Sequence, residues 1–285
     1  MANVMLSFPQ RADEATLSGG AWAAGLPLNN LKDRLIGKVA RTTDALAASS
    51  TFDAALTKAR SIRTLSLINN NLSLGATYRL RGSDDPTFAT SITDTGTLPV
   101  WPALYVTLAL EWEADNWWSG EMLAEDIEGY TWNLIHVFAT NVVARYWRIE
   151  LTDTANAAGY VQAGRLFMAP AFQPLQNMSY GASTNYETRT AIEEAPSGVE
   201  YFDRRNGFRV ARFNLDWQTE DEAMVNSFEM QRILGIDKEL LYIFDPDNLT
   251  HKIRKSFLGR LRTLNAIEQP YFDTLKSSYE IKELL

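Results

Sequence analysis

Cysteine and histidine, two residue types that carry catalytic and metal chemistry, are absent or rare in this 285-residue chain. It has no cysteine, which rules out disulfides, thiolate nucleophiles and cysteine-ligated zinc. Its two histidines, His136 and His251, fall in what we predict to be separate domains. Neither a histidine-rich metal cluster nor a Ser-His-Asp triad is therefore expected, and no glycine-rich phosphate-binding loop is present. The sequence predicts a protein that is not an enzyme, with no catalytic residues and no cofactor.

The segment from Glu111 to Asp126 combines acidic residues with three tryptophans. A pair of acids could hydrolyse a glycosidic bond, and tryptophan rings could stack on the faces of sugars. The plainer interpretation is a solvated acidic loop with some rings packed on the body of the domain. The candidate ligand contacts are Trp112, Trp117 and Trp118. Three other tryptophans lie in strand-like sequence and are predicted to be core residues: Trp101, Trp132 and Trp147.

Charge and hydropathy limit the possible partners. A formal net charge of −8 argues against binding nucleic acid by neutralising phosphates, although DNA could still slide past such a surface. Asp33 is the one candidate ligand for a structural Ca²⁺ ion, but a single carboxylate does not make a site, so no metal is predicted. The longest apolar run, around Leu104 to Leu110, is too short for a membrane span, and the amino terminus lacks the features of a secretory signal. We expect synthesis in a cytoplasm and no membrane insertion.

Strand signals dominate the first part of the chain. The segment from Arg145 to Leu151 alternates apolar and charged residues, the period of a strand with one buried face. Several short strand signals separated by turn residues precede it, which favours a β-sandwich. Around Phe172 to Gly181 the composition shifts to Pro, Gln, Asn, Ser and Gly. This shift places a domain boundary that gives domains 1–175 and 176–285.

The second domain is predicted to begin with a long hairpin from Val199 to Trp217, with its turn at Asn206-Gly207. A helix follows, because Thr219-Glu220-Asp221-Glu222 has the spacing of a capping box and Gly235 can end it. Three strands complete the domain. Its predicted order is therefore two strands, a helix and three strands.

Three segments of residues 25 to 170 carry a family resemblance: Asn30 to Asp33, Tyr78 to Asp85, and Arg145 to Leu151. Together they resemble the discoidin, or galactose-binding-like, family of β-sandwich modules. The stretch from Gly159 to Phe167, which leads into the second half, looks like tail proteins of long-tailed bacteriophages. The arrangement after residue 180 is similar to the tail-tube-type fold of phage distal tail and baseplate proteins, a split β-barrel flanked by a helix.

The resemblance implies a location at the tail tip of a virion and assembly into a homo-oligomer, a hexameric ring around a central channel. The implied partners are the tail tube protein and baseplate hub or receptor-binding proteins, with double-stranded DNA passing through without specific binding. It is a fold-level resemblance and names no catalytic residue.

The predicted fold is mainly β, with an N-terminal galactose-binding-like β-sandwich and a C-terminal tail-tube-like split β-barrel with one flanking helix. We expect the long hairpin to extend the barrel toward a neighbouring subunit, because unpaired edge strands are a liability that ring assembly removes. Five apolar residues of this hairpin form the candidate oligomer interface: Tyr201, Phe202, Phe208, Val210 and Phe213.

Three functions follow from these patterns. The leading hypothesis is a structural virion protein of the distal tail or tail tip, which forms a ring that connects the tail tube to the baseplate or receptor-binding apparatus and lets DNA pass. The alternative is a carbohydrate- or receptor-binding tail protein that acts in host adsorption. The third is a glycan-degrading enzyme with an appended binding module.

Overall fold

The structure is a computed structural model that describes residues 2–101, 110–118, 120, 123, 133–249 and 251–285. The chain divides into two compact units. The sandwich unit comprises Pro9–Ala171 and Pro246–Arg254, and the terminal unit comprises Met1–Phe8, Phe172–Asp245 and Lys255–Leu285. Residues 1–8 and 246–254 thus lie in different units from those implied by a division of the chain into 1–175 and 176–285.

The first part of the chain is almost entirely strand. Its strands are β1 (Met5–Ser7), which belongs to the terminal unit, β2 (Thr16–Ser18), β3 (Ala40–Arg41), β4 (Phe52–Ile68), β5 (Thr77–Ser83), β6 (Thr93–Asp94), β7 (Leu98–Pro99), β8 (Asn133–Thr152), β9 (Gln162–Ala163) and β10 (Arg165–Ala169). Its helical segments are short: 3-10 turns at Ala12–Glu14 and Leu28–Lys32, and helix α1 (Ala47–Ser50).

A seven-stranded antiparallel sheet forms the main layer of the sandwich unit, in the order β10-β4-β8-β5-β6, with β2 on β4 and β7 on β5. The two-stranded sheet of β3 and β9 contributes Ala40 and Ala163 to the same apolar core. In β8, Trp147 and Ile149 are buried, whereas the intervening Arg148 bonds Asp53 of β4 through two hydrogen bonds of 2.6 and 2.8 Å. The predicted strand with one buried face and the predicted β-sandwich are both confirmed.

The core tryptophans are placed as their sequence context indicated. Trp101 and Trp147 are both buried, and Trp132 lies outside the described residues. Trp147 packs directly on Gly82 of β5, where an added Cβ would lie 3.2 Å from the indole ring. A glycine is needed at this point because the ring occupies the space of a side chain.

The second part of the chain completes the terminal unit. Its strands are β11 (Ala171–Phe172), β12 (Ser183–Glu187), β13 (Ala191–Glu194), β14 (Glu200–Asp203), β15 (Phe208–Gln218), β16 (Glu239–Ile243), β17 (Ser256–Leu261), β18 (Glu268–Tyr271) and β19 (Thr274–Glu283). Its helices are α2 (Glu220–Glu222) and α3 (Glu229–Leu234), joined by the π-helical Ala223–Phe228. Helix α4 (Lys252–Lys255) lies in the sandwich unit except for Lys255.

The main sheet of the terminal unit is open. Its strand order is β11-β1-β16-β17-β19-β15-β12, with β18 on β19, and β1 from the amino terminus pairs with β16. The order has two ends, at β11 and β12, so in the described parts of the chain no ladder closes the sheet into a barrel. The predicted split β-barrel is therefore corrected to an open, mainly antiparallel sheet, because these short edge strands leave its two sides unjoined.

The predicted helix is confirmed. Its first turn is capped by Thr219, whose hydroxyl accepts a hydrogen bond of 3.2 Å from the Glu222 amide. It ends before Gly235, whose φ of +54° is a backbone conformation that favours glycine. No helix in the described ranges is long and apolar enough to cross a membrane.

The predicted hairpin from Val199 to Trp217 is wrong. Strand β14 pairs with β13, whereas β15 pairs with β12 on one side and β19 on the other. With both edges occupied, β15 has no free edge for β14. The φ of Gly207 lies outside the left-handed region, so Asn206-Gly207 does not form the tight turn that its sequence indicates.

Candidate functional site

The tryptophan-rich segment is described over residues 110–118, where it consists of successive turns. The Ala114 amide donates to the Glu111 carbonyl at 3.1 Å, and the Trp117 amide donates to the Ala114 carbonyl at 2.8 Å. Glu113 adopts a positive φ of +66°. These turns fix the backbone that carries the rings, although residues 110–118 belong to no strand or helix.

Two of the three candidate rings face solvent. The side chains of Trp118 and Trp112 are 89% and 73% exposed, and Trp117 is partly buried. Trp112 packs edge-to-face on Trp117, with 5.1 Å between ring centroids and 67° between ring planes. The exposed ring of Trp112 is thus oriented by the partly buried Trp117, and the second exposed ring, Trp118, follows directly in the sequence.

Acidic side chains accompany these rings. Glu111, Glu113 and Asp115 are all exposed and can accept hydrogen bonds from hydroxyl groups. Three further acids of the segment lie outside the described residues: Glu121, Glu125 and Asp126. The acid pair of the glycan-degrading hypothesis, and equally the expectation that the chain is not an enzyme, therefore stay predictions.

Asp33 is engaged by protein groups rather than arranged as a calcium ligand. Its carboxylate accepts a hydrogen bond of 2.8 Å from Lys38 Nζ and one of 3.1 Å from the Leu35 amide. The bond from Lys38 lowers the pKa of Asp33. Across the described residues, no group of three or more His, Cys, Asp or Glu side chains could hold a metal ion. A neighbouring ammonium thus already pairs with this carboxylate, and the expectation that the chain holds no metal stays a prediction.

His136 lies in the sandwich unit beside two aromatic rings. Its centroid is 5.8 Å from that of Tyr78 and 4.5 Å from that of Phe138, and a hydrogen bond of 3.0 Å joins the Tyr78 hydroxyl to His136 Nδ1. Burial, together with the nearby Lys252 ammonium, lowers the pKa of His136 to about 4. It is therefore neutral at pH 7 and packs as part of the core's aromatic cluster.

The five candidate interface residues separate into two groups. Tyr201 and Phe202 lie on β14 and are 63% and 60% exposed. The side chains of Phe208, Val210 and Phe213 are buried within the chain, which leaves them no surface for a neighbouring subunit. The difference arises because β15 is an inner strand of the main sheet, whereas β13 and β14 form a separate two-stranded sheet.

No protein-family model and no curated protein matches this chain. Among solved structures, CBM32-1 of a family 31 glycoside hydrolase from Clostridium perfringens is similar at 11% identity and a TM-score of 0.37, over 57% of this chain and 99% of that one. The family 32 carbohydrate-binding module of NanJ from the same organism, in complex with galactose, is similar at 16% identity and a TM-score of 0.37, over 58% of this chain and 99% of that one.

A Streptococcus pneumoniae fucose-binding module is similar at 11% identity and a TM-score of 0.37, over 56% of this chain and 94% of that module. Similarity of this extent assigns no ligand to this chain.

Proposed function

We propose that this protein is a non-catalytic binding protein whose sandwich unit recognises a glycan through Trp112 and Trp118. The single observation that carries the proposal is the exposure of these two indoles, at 73% and 89%, within one turn-rich segment. An exposed indole ring contributes little of the stabilisation that its burial would give to the folded state. A cluster of exposed apolar side chains is typical of an interaction surface.

The chemistry of the segment fits a sugar. A pyranose presents a flat apolar face and a rim of hydroxyl groups, which match an indole face and carboxylate acceptors respectively. Exposed acids stand beside both rings, Glu111 and Glu113 flanking Trp112, and Asp115 between the two. The packing of Trp112 on Trp117 orients the ring before any ligand arrives, which lowers the entropic cost of binding.

Trp118→Ala should weaken glycan binding about tenfold. Stacking that buries roughly 60 Å² of ring at about 25 cal/mol per Å² contributes about 1.5 kcal/mol. A glycan array identifies the sugar, and titration calorimetry with that sugar compares the full-length variants. The matched control is Trp217→Ala, which removes an exposed tryptophan of the terminal unit. Equal loss in both variants, or no array binding at high protein concentration, would refute the proposal.

A second candidate, a structural subunit of a larger assembly, rests on the hairpin of β13 and β14. Four of its large apolar side chains are more than half exposed: Ile192, Val199, Tyr201 and Phe202. At the hairpin turn the Ala195 amide donates to the Val199 carbonyl and the Gly198 amide donates to the Ala195 carbonyl, and the hairpin is a two-stranded sheet separate from the main one. Isolated two-stranded hairpins are marginally stable in water, so an apolar one favours coverage by another subunit.

Under this candidate, a second copy of the chain covers the hairpin. A homohexameric ring at a virion tail tip, with tube and baseplate partners and passing DNA, is the specific form that the phage resemblance implies, and it stays a proposal.

The double variant Tyr201→Lys/Phe202→Lys should dissociate any such assembly, because it places two ammonium groups in an apolar contact. Native mass spectrometry of the full chain should give a homo-oligomer for the unaltered protein and a monomer for the variant. Phe272→Lys, at a 97% exposed side chain outside the hairpin, is the control and should keep the oligomer. An unaltered protein that is monomeric at tens of micromolar would exclude this candidate.

A further inference from the structure

The sandwich unit contains a cavity of about 290 Å³ that none of the described residues of the tryptophan segment lines. Its walls are mostly apolar and include Leu98, Val100 and Ile253. Small-molecule sites are cavities of roughly 300–1,000 Å³ with apolar walls and a few polar groups, so this one has the size and character of a compact ligand site.

Lys252 brings a positive charge into this cavity. Its ammonium group donates a hydrogen bond of 2.9 Å to the Ile135 carbonyl, and within the described residues it forms no ion pair. Burial lowers the pKa of Lys252 to about 8, so the group is still mostly protonated at pH 7. A partly buried ammonium that lacks a counter-charge is costly, and an anion in the cavity would offset that cost.

Among the described residues, the other polar side chains that line the cavity are neutral. Tyr78 keeps its hydroxyl proton, because burial raises its pKa to about 12, and it bonds the neutral His136. The Asn133 side-chain oxygen accepts a bond of 3.2 Å from the Asn69 amide, which orients the side-chain nitrogen as a donor. The cavity thus offers one cation and neutral polar groups beside an apolar wall.

We propose that this cavity binds a small organic monocarboxylate, whose carboxylate pairs with Lys252 and whose apolar body lies against Leu98, Val100 and Ile253. The positive charge of Lys252 favours an anionic ligand, and the apolar wall favours a ligand whose remaining atoms are apolar. A sugar would instead leave hydroxyl groups without partners against these side chains. The site is distinct from the proposed glycan surface over the part of the chain that the structure describes, because Trp112 and Trp118 do not line the cavity.

Titration calorimetry of the full chain with hexanoate and 1-hexanol tests the proposal. The two probes have the same carbon chain, so a difference between them measures the contribution of the charge. We expect hexanoate to bind at least about tenfold more tightly, since a hydrogen bond to a charged group contributes about 1.5 kcal/mol or more. Lys252→Met should remove this preference and leave the affinity for 1-hexanol unchanged.

Lys58→Met, at an exposed lysine of β4, is the matched control and should keep the preference. If Lys252→Met does not fold, the ratio of the two affinities in the unaltered chain still decides the matter. Equal affinities for the two probes, no binding of either, or an unchanged preference in folded Lys252→Met would each overturn the proposal. So would acetate that binds as tightly as hexanoate, because the apolar wall would then contribute nothing.

Discussion

Glu283→Gln should lower the free energy of unfolding of the terminal unit by about 3–5 kcal/mol, the range for breaking a buried ion pair. Arg209 on β15 and Glu283 on β19 are 1% and 4% exposed. The carboxylate accepts bonds from the Arg209 amide at 2.8 Å and from Nε at 2.9 Å, and it also pairs with the guanidinium Nη2. The glutamine would remove the charge of Glu283 from beside this buried guanidinium, which lies over the Phe257 ring.

Native-state hydrogen exchange of β15 and β19 measures this effect in the full chain, because it reports the stability of each unit separately. Glu229→Gln is the matched control, since its pair with Arg232 is exposed to solvent and contributes little to stability. The double variant Arg209→Met/Glu283→Leu should restore much of the loss, because it leaves no unpaired charge. A loss in Glu283→Gln as small as that of the control would contradict the prediction.

His136 should make the sandwich unit less stable in acid by about 2 kcal/mol between pH 7.5 and pH 5. Its pKa is lowered in the folded chain to about 4, against an ordinary value of about 6.5 in the unfolded chain. Between these values the unfolded state binds the proton and the folded state does not. The stability is therefore fully present above the unfolded pKa and is lost as the pH falls toward the folded pKa.

Hydrogen exchange of β4 and β8 at the two pH values compares the unaltered chain with His136→Gln, which does not titrate in this range. The variant should lose about 2 kcal/mol less on acidification, whatever its stability at pH 7.5. His251→Gln alters the other histidine of the chain and should leave the acid loss unchanged. Equal acid losses in His136→Gln and the unaltered chain would show that the two states bind this proton equally.

Local sequence patterns predicted the individual elements well. The alternation around Trp147 identified a strand and its buried face, and the capping residues around Thr219 identified a helix. Both are short-range signals, because side-chain period and capping depend on neighbours within a few residues. The same patterns could not find the cavity, since Tyr78 and Lys252 are far apart in the chain and no local pattern connects them.

The tryptophan segment shows where composition is informative and where it is not. Three rings among acids predicted candidate ligand contacts, but only the structure separates the exposed Trp112 and Trp118 from the partly buried Trp117. The interface candidates divide in the same way, because Tyr201 lies on an exposed strand whereas Phe213 is buried in the core. Residue type determines which interactions a side chain can form, but its burial determines whether a ligand or another subunit can contact it.

The sequence by itself determined the absence of cysteine chemistry, the net acidic charge, the mainly β character and the helix capped by Thr219. Tertiary structure alone decided which strands are neighbours: β1 beside β16, β14 beside β13, and β15 between β12 and β19. The alternation of side chains specifies which face of a strand is buried and carries little information about which strand lies beside it. Long-range packing decides which strands pair. The exposed hairpin and the charged cavity, on which two of the proposals depend, are therefore products of the tertiary structure.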